Sequence, residues 1–344
     1  MGAQFSQFFP PNPGFTEANI PNQDGKVFLI TGGTTGIGLE LAKILYAANA
    51  RVYITGRGSA NRVAAAMLAI KASAPPPSST TTASASTGKG SIEFLYLALD
   101  DLTSISNTVE FFKAKESKLH VLFNNAGVSQ PPAGSTSKQG FELQLATNCL
   151  GPFLLTKLLL PLLASTASEE AAATNKRGVS NSVRVVWTAS QMIELAAPPQ
   201  GIVMAELDNP PKDRTQNYNT SKTGNLFLAT EFARRFTQST GVISVALNPG
   251  AAATDLFRHT PWMRYVAWPL LHTPKLAAYT QLYCGLSDDI TVEETGCYVI
   301  PWGRIHRQLR KDLVEASKTE EDGGSGRAKE FWEFCDERTR PFIA

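Results

Sequence analysis

The chain has 344 residues, 43% of them apolar and 18% charged, with a formal net charge of +2 and acids interspersed with bases. That composition supplies a sizeable core and excludes a disordered chain. It offers no basic stripe for nucleic acid and no acidic tail.

Residues 1–25 are rich in Pro, Asn and Phe and read as an arm before the fold. KVFLITGG (Lys26 to Gly33) is an apolar run ending in glycines, a buried strand, and Leu39 to Asn49 follows with helical spacing. ARVYITGR (Ala50 to Arg57) is a second strand, and Asn61 to Ser73 an Ala-rich helix. The Pro/Ser/Thr/Ala tract 71–90 lacks large apolar residues and reads as a mobile surface insertion. Ser91 to Leu99 is the third strand, Ser104 to Lys115 a helix, and HVLFNNAG (His120 to Gly127) the fourth strand with its turn. Gly140 to Leu163 carries a long apolar helix. Its longest apolar run, Phe153 to Leu163, is broken by Lys157 and too short to cross a bilayer. A second low-complexity insertion, 164–182, leads to VRVVWTAS (Val183 to Ser190), the fifth strand. A Pro- and Asn-rich loop over 191–216 precedes a helix from Tyr218 to Gln238 and a sixth strand in VISVALNPG (Val242 to Gly250). An aromatic segment, 256–275, a helix over Lys275 to Leu286 and a short strand at Cys297 to Pro301 complete the core. Residues 304–344 form a charged, partly helical tail.

Apolar strands alternating with helices predict an α/β fold, a Rossmann-type doubly wound parallel sheet. A single domain is expected over 26–303, with the N-terminal arm 1–25 before it and the helical tail 304–344 after it. Ligands bind beyond the carboxyl ends of such strands. The four cysteines, Cys149, Cys284, Cys297 and Cys335, show no CxxC spacing, and the histidines form no paired-ligand motif. Free thiols, no metal and a cytoplasmic protein, at most peripheral to membranes, are therefore expected. The N-terminus lacks the pattern of a signal peptide. Met1-Gly2 with Ser6 fits the loose pattern for myristoylation of Gly2, which short sequences often match by chance.

Thr31-Gly32-Gly33-Thr34-Thr35-Gly36-Ile37-Gly38 joins the first strand to the first helix. Glycines let a backbone approach a pyrophosphate, and a helix N-terminus offers free N–H groups to it. Gly32, Thr34, Thr35, Gly36, Ile37 and Gly38 are therefore candidates for dinucleotide binding. NAD enzymes usually end the second strand with a carboxylate for the ribose 2′-hydroxyl. Here Thr55-Gly56-Arg57 ends it, and the Arg57 guanidinium suits a 2′-phosphate, which favours NADP(H) over NAD(H).

With TGxxxGIG at 31–38, NNAG at 124–127, Ser190, YxxxK at 218–222 and NPG at 248–250, all in order, residues 24–301 resemble the short-chain dehydrogenase/reductase family, particularly its retinol-dehydrogenase-like members. The resemblance implies that Asp101, before Leu102, contacts the adenine side. It implies that Asn125, Ala126 and Gly127 line the cofactor's ribose side, and that Pro249, Gly250, Ala252 and Thr254 hold the nicotinamide carboxamide and phosphates. Asn148 matches the asparagine that supports a helix bulge and a proton relay. Family members often assemble through the helices carrying Asn148 and Tyr218, a contact the tail could block or replace. Two departures stand out: WTAS before Ser190 in place of a double serine, and about 27 residues between Ser190 and Tyr218.

Carbonyl reduction needs hydride delivery and a proton. Tyr218 and Lys222, four apart on a helix, project from one face, where an ammonium is expected to lower the phenol's usual pKa of about 10. Ser190 would hydrogen-bond the substrate oxygen, and Tyr218 would act as general acid in reduction and base in oxidation. Ser190, Tyr218, Lys222 and Asn148 are thus the candidate catalytic set. The aromatic segment, with Leu256, Phe257, Trp262, Met263, Tyr265 and Trp268, reads as the wall of a pocket for a hydrophobic ketone, aldehyde or alcohol. A cofactor-binding regulatory protein without turnover, or an isomerase or dehydratase on the same scaffold, stays open.

Overall fold

The computed structural model describes residues 2–74, 90–173, 181–262 and 267–343. β1 (Val27–Ile30) is buried at all its positions, so neither face can be polar. It pairs in parallel with β2 (Arg51–Gly56) on one side and β4 (Val121–Asn124) on the other. With β3 (Ser91–Tyr96), β5 (Arg184–Thr188), β6 (Ile243–Leu247), β7 (Tyr298–Ile300) and β8 (Arg304–Ile305) they form an eight-stranded sheet in the order β3-β2-β1-β4-β5-β6-β7-β8. β8 alone runs antiparallel, to β7. The fold is the expected doubly wound one. Its strand order reverses between β1 and β4, and the crevice for a ligand opens there.

The strands alternate between two cores. Phe28, Ile54, Phe123 and Val245 pack on the side of α2 (Gly36–Ala47), α3 (Ala60–Lys71) and the later helix Pro274–Leu286. Leu29, Tyr53, Leu122 and Trp187 pack on the side of α4 (Leu102–Lys113) and the helices that follow it. Burying each such large side chain contributes about 1.5–3 kcal/mol.

One continuous helix runs from Leu143 to Ala173: α5 (Leu143–Leu145), a widened π turn over Ala146–Leu150, and α6 (Gly151–Ala173). It is longer than the sequence reading allowed. The stretch 164–173, expected to open a low-complexity insertion, continues α6 and buries Thr166 and Ala167. By length and composition this helix could cross a membrane, but 61% of its most apolar window is buried inside the fold. Residues 75–89 and 174–180 of the two low-complexity tracts lie outside the described residues.

The loop after β5 is not featureless. It holds α7 (Met192–Leu195) and leads to α8 (Arg214–Phe232), which is capped by the Asp213 carboxylate on the Thr215 and Gln216 amides. α9 (Gln238–Thr240) ends that helical stretch, and α10 is Pro274–Leu286. The tail forms α11 (Lys311–Ala316) and α12 (Arg327–Thr339). α12 packs on α8 and α6 through buried Phe331 and Trp332, with Trp332 edge-on to Phe153 at 4.7 Å. The N-terminal arm also has structure: α1 (Gly2–Phe8) docks on the same end of the sheet as the crevice.

Candidate active site

The loop 31–38 turns from β1 into α2 through left-handed backbone at Gly32 (φ +68°) and Gly36 (φ +58°). Packing forbids side chains nearby. A Cβ on Gly33 would meet Ile54 Cγ2 at 2.5 Å, and one on Gly38 would meet Asn125 Nδ2 at 2.6 Å. Thr35, just before α2, caps none of its amides with its side chain, so the first-turn N–H groups stay available to an anion. Thr31 and Asn125 brace the loop. Thr31 Oγ1 accepts from the Asn125 and Ala126 amides at 2.9 Å each, while Asn125 Nδ2 donates to the Thr31 carbonyl at 2.7 Å.

A cleft of about 1120 Å³ runs from this loop along the strand ends. Gly32, Thr34, Thr35, Gly36, Ile37 and Arg57 line one stretch, and Asn125, Ala126 and Gly127 its middle. Ser190, Tyr218, Lys222, Pro249, Gly250, Ala252 and Thr254 line the rest. Gly38 stands behind the loop as a packing residue.

Two expected residues stand apart. Asp101 caps α4 through the Thr103 amide and pairs with Lys138 at 2.9 Å, contacts that lower its carboxyl to about 2. Burial opposes that shift as its largest single influence. Leu102 is 1% exposed in the core. Leu97 and Leu99, two residues or more upstream, form the cleft wall instead.

Around Tyr218 the geometry is tight. Tyr218 is 8% and Lys222 4% exposed. Lys222 Nζ donates to the Thr188 carbonyl at 2.9 Å and lies 5.9 Å from the centre of the Tyr218 ring. The expected depression of the phenol by this ammonium is not what the structure shows. Burial pushes Tyr218 up to about 12, opposed by the nearby Ser190 hydroxyl, and burial brings Lys222 down to about 8. Each charged form loses its water inside the cleft wall, which is the first cause of both shifts. Ser190 is steadied from two sides: its Oγ accepts the Met192 amide at 3.2 Å, and the Tyr298 hydroxyl donates to its carbonyl at 3.0 Å.

Asn148 sits in the π turn. Its Oδ1 accepts from the Val128 amide at 2.9 Å, and its Nδ2 donates to the Val128 carbonyl at 3.0 Å and to Ser221 Oγ at 2.9 Å. Between Asn148 and Lys222 lies Gly127, where a Cβ would stand 3.2 Å from Asn148 Oδ1 and 3.4 Å from Lys222 Nζ.

This arrangement of strand-end glycine loop, serine, tyrosine and lysine has counterparts. The short chain dehydrogenase family model matches residues 26–175. A short-chain dehydrogenase/reductase of Phomopsis amygdali is 39% identical over 345 residues, covering 98% of this chain and 97% of that one. The chain belongs to the short-chain dehydrogenase/reductase family. The short-chain dehydrogenase/reductase iacJ of Pestalotiopsis fici is also 39% identical, over 96% of each chain. Among solved structures, a short-chain type dehydrogenase/reductase from Mycobacterium marinum shares the fold at TM-score 0.60 and 17% identity, over 87% of this chain and 98% of that one. The Pseudomonas aeruginosa RhlG/NADP active-site complex does so at TM-score 0.57 and 21% identity, over 80% and 94%. Members of the family are oxidoreductases that bind nicotinamide cofactors.

Several residues at the site escaped the sequence reading. Arg62 and Arg258 join Arg57 on the cleft wall, and burial first, then the neighbouring Arg57 and Arg62, push Arg258 below its ordinary value. Arg57 itself pairs with Asp100. Gln281 Nε2 donates to Asn125 Oδ1 at 2.7 Å and so locks the brace behind the glycine loop. Arg62 and Arg258 are lone cations in sequence, and only the fold gathers them. Of the aromatic segment, Leu256, Phe257 and Trp262 reach the cleft, whereas Trp268 is 75% exposed. Met263, Arg264, Tyr265 and Val266 lie outside the described residues. Among the described residues, no group of three or more His, Cys, Asp or Glu side chains is placed to hold a metal ion.

Proposed function

We propose that the protein is an NADP(H)-dependent carbonyl reductase acting on a hydrophobic ketone or aldehyde, or in reverse on the alcohol. The observation that carries this reading is the placement of Ser190, Tyr218 and Lys222 on the wall of the cleft that begins at the glycine loop.

The residues present fit a dinucleotide. Gly33 and Gly38 leave no room for a Cβ, so the backbone of the loop is the surface offered, with the open amides of α2 beside it for a pyrophosphate. Arg57, Arg62 and Arg258 supply a cationic end suited to a 2′-phosphate, and no such cluster is needed for a bare ribose hydroxyl. When bound, the nicotinamide supplies the hydride.

The chain's own residues supply the rest. Tyr218, its phenol held protonated by burial with a pKa near 12, gives its proton to the substrate oxygen. Ser190 donates a hydrogen bond to the same oxygen as charge develops on it. Lys222 stands beside Tyr218, anchored on the Thr188 carbonyl, so that its charge favours the phenolate once the proton has left. Asn148 holds the Val128 backbone against α8 through Ser221 and keeps Gly127 between itself and Lys222. Met192, Leu195, Leu256, Phe257 and Trp262 give the far end of the cleft an apolar wall, suited to an apolar substrate.

The test is oxidation of NADPH by purified protein with a panel of apolar ketones, aldehydes and quinones, with Tyr218→Phe as control. Turnover in the wild type and its loss in the variant supports the reading. Tight NADPH binding with no net oxidation, while a substrate is isomerised or dehydrated, would replace it.

A further inference from the structure

The reductase reading leaves the N-terminal arm without a task, yet the arm reaches the same cleft. α1 has seven residues, too few to hold a helix in water unaided. Consecutive tertiary contacts fix it. The Arg304 guanidinium donates to the Ser6 carbonyl at 2.7 Å and to its hydroxyl at 3.2 Å. Gln7, 1% exposed, bonds at both ends of its amide: Nε2 donates to Glu194 Oε2 at 2.6 Å, and Oε1 accepts from Asn248 Nδ2 at 2.9 Å. His272 Nε2 lies 3.0 Å from the Phe8 carbonyl oxygen, and the Phe8 side chain lines the cleft.

The partners of Gln7 give this docking its meaning. Glu194 is on α7, one turn beyond Ser190, and its second oxygen lies 3.1 Å from His306 Nε2. Asn248 opens the turn that carries Pro249 and Gly250, and its Oδ1 accepts the Gly250 amide at 2.9 Å. One buried amide therefore sets the spacing between the Ser190 loop after β5 and the Asn-Pro-Gly turn after β6. A buried network with every partner supplied is rigid, and removing one member leaves the others unsatisfied. The bonds of Ser6, Gln7 and Phe8 named here run to the ends of β5, β6 and β8 and to His272, none of them to the glycine loop or Arg57.

We infer that the N-terminal helix is part of the active site, with Gln7 a positioning residue that aligns Ser190 with the Asn248–Gly250 turn and Phe8 a specificity-determining wall for an apolar group of the substrate. The inference rests on the reductase reading of the cleft. Catalysis by such a site depends on the relative placement of its two loops to a fraction of an ångström, and Gln7 is the strut between them.

The experiment uses the full chain and acetonaphthone as probe. Reduction by NADPH is followed in steady state, NADPH affinity by fluorescence titration, and acetonaphthone affinity by equilibrium binding to the protein–NADP⁺ complex. Gln7→Glu sets a second carboxylate against Glu194 and should lower kcat about tenfold or more. The double variant Gln7→Glu with Glu194→Gln exchanges amide and carboxylate across the same contact and should recover most of that loss. Phe8→Ala should weaken acetonaphthone binding about fivefold or more and raise KM in step, with NADPH affinity within about twofold of wild type. The inference is overturned if Gln7→Glu lowers kcat, NADPH affinity and Tm together with no recovery in the exchanged pair. It is overturned equally if Phe8→Ala leaves acetonaphthone affinity unchanged. Failure of the reductase reading looks different: the wild type binds NADPH without oxidising it, while acetonaphthone affinity still decides the role of the arm.

Discussion

In the half of the cleft proposed to hold the dinucleotide, the glycine loop, Arg57 and the Asn125–Gly127 turn each lie within a few residues of a strand end. The half proposed for the substrate is assembled from far-separated segments: Phe8 of the arm, the loop after Ser190, α8, and the stretch from Leu256 to Trp262, with His306 of the tail behind Glu194. The first half is set by local turns and close packing, braced by Thr31, Asn125 and Gln281, and the second depends chiefly on hydrogen bonds between remote segments. The contrast teaches that the first half can be damaged by adding one methyl group, whereas the second is damaged by cutting a contact between remote parts of the chain.

Variants can break that contrast or sharpen it. Tyr218→Phe carries the largest expected effect, a loss of about 10²–10⁴-fold in kcat with NADPH affinity kept, because only the proton donor is removed. Parallel titration of cofactor and turnover checks it. Next, Trp332→Ala on α12 should cost about 3–5 kcal/mol of stability by opening a cavity against Phe153, measured by denaturant unfolding. An intact NADPH affinity in the folded fraction would keep the two halves separable. Gly38→Ala should cost about 1–3 kcal/mol and abolish cofactor binding, since the new Cβ would press on Asn125 Nδ2 and on the Gly32 carbonyl oxygen, 2.7 Å away.

Lys222 gives a prediction in pH. An unfolded lysine keeps its proton to about 10.5 and folded Lys222 only to about 8, so between those values the unfolded chain binds more protons and stability rises with pH. Lys222→Met should remove that rise, about 3 kcal/mol over the window, read as the difference in Tm between variant and wild type from neutral to alkaline pH. Tyr218 works in the opposite sense above about 10, where its raised pKa makes folding stability fall with pH toward about 12. The smallest expected effect is that of Asp101→Ala. It should cost about 1 kcal/mol through the lost cap on α4 and leave NADPH affinity unchanged. A large loss of cofactor affinity there would restore Asp101 to the cleft and undo its reading as a cap.

What could be read in the sequence follows the same division. The glycine loop, Arg57 and the Tyr218–Lys222 spacing were legible because strand, turn and helix periodicity place them without tertiary information. Gln7, Glu194, Arg62 and Arg258 were not, because a glutamine in a Pro/Phe-rich arm and single arginines carry no pattern until the chain folds. The adenine-side role of the Asp101 loop comes from the family resemblance, whereas its part as the cap of α4 through Thr103 appears only in three dimensions. The stretch after Leu163 reads in sequence as a low-complexity insertion, yet its first ten residues continue the helix, since alanine is the strongest helix former and Ala167 is buried. The Tyr218–Lys222 spacing along a helix is visible in sequence, whereas the burial that pushes the phenol up is not.

Gly224 on α8 has a Cβ position only 2.7 Å from both the Phe331 ring and Cys149 Sγ, so the tail sits directly on helix backbone there. That face of α8, with the flank of α6 beside it, is thereby upholstered from within the same polypeptide. A second subunit approaching along these helices would meet α12 rather than bare α8, and trimming the tail would uncover Gly224 and Cys149, which Phe331 now covers.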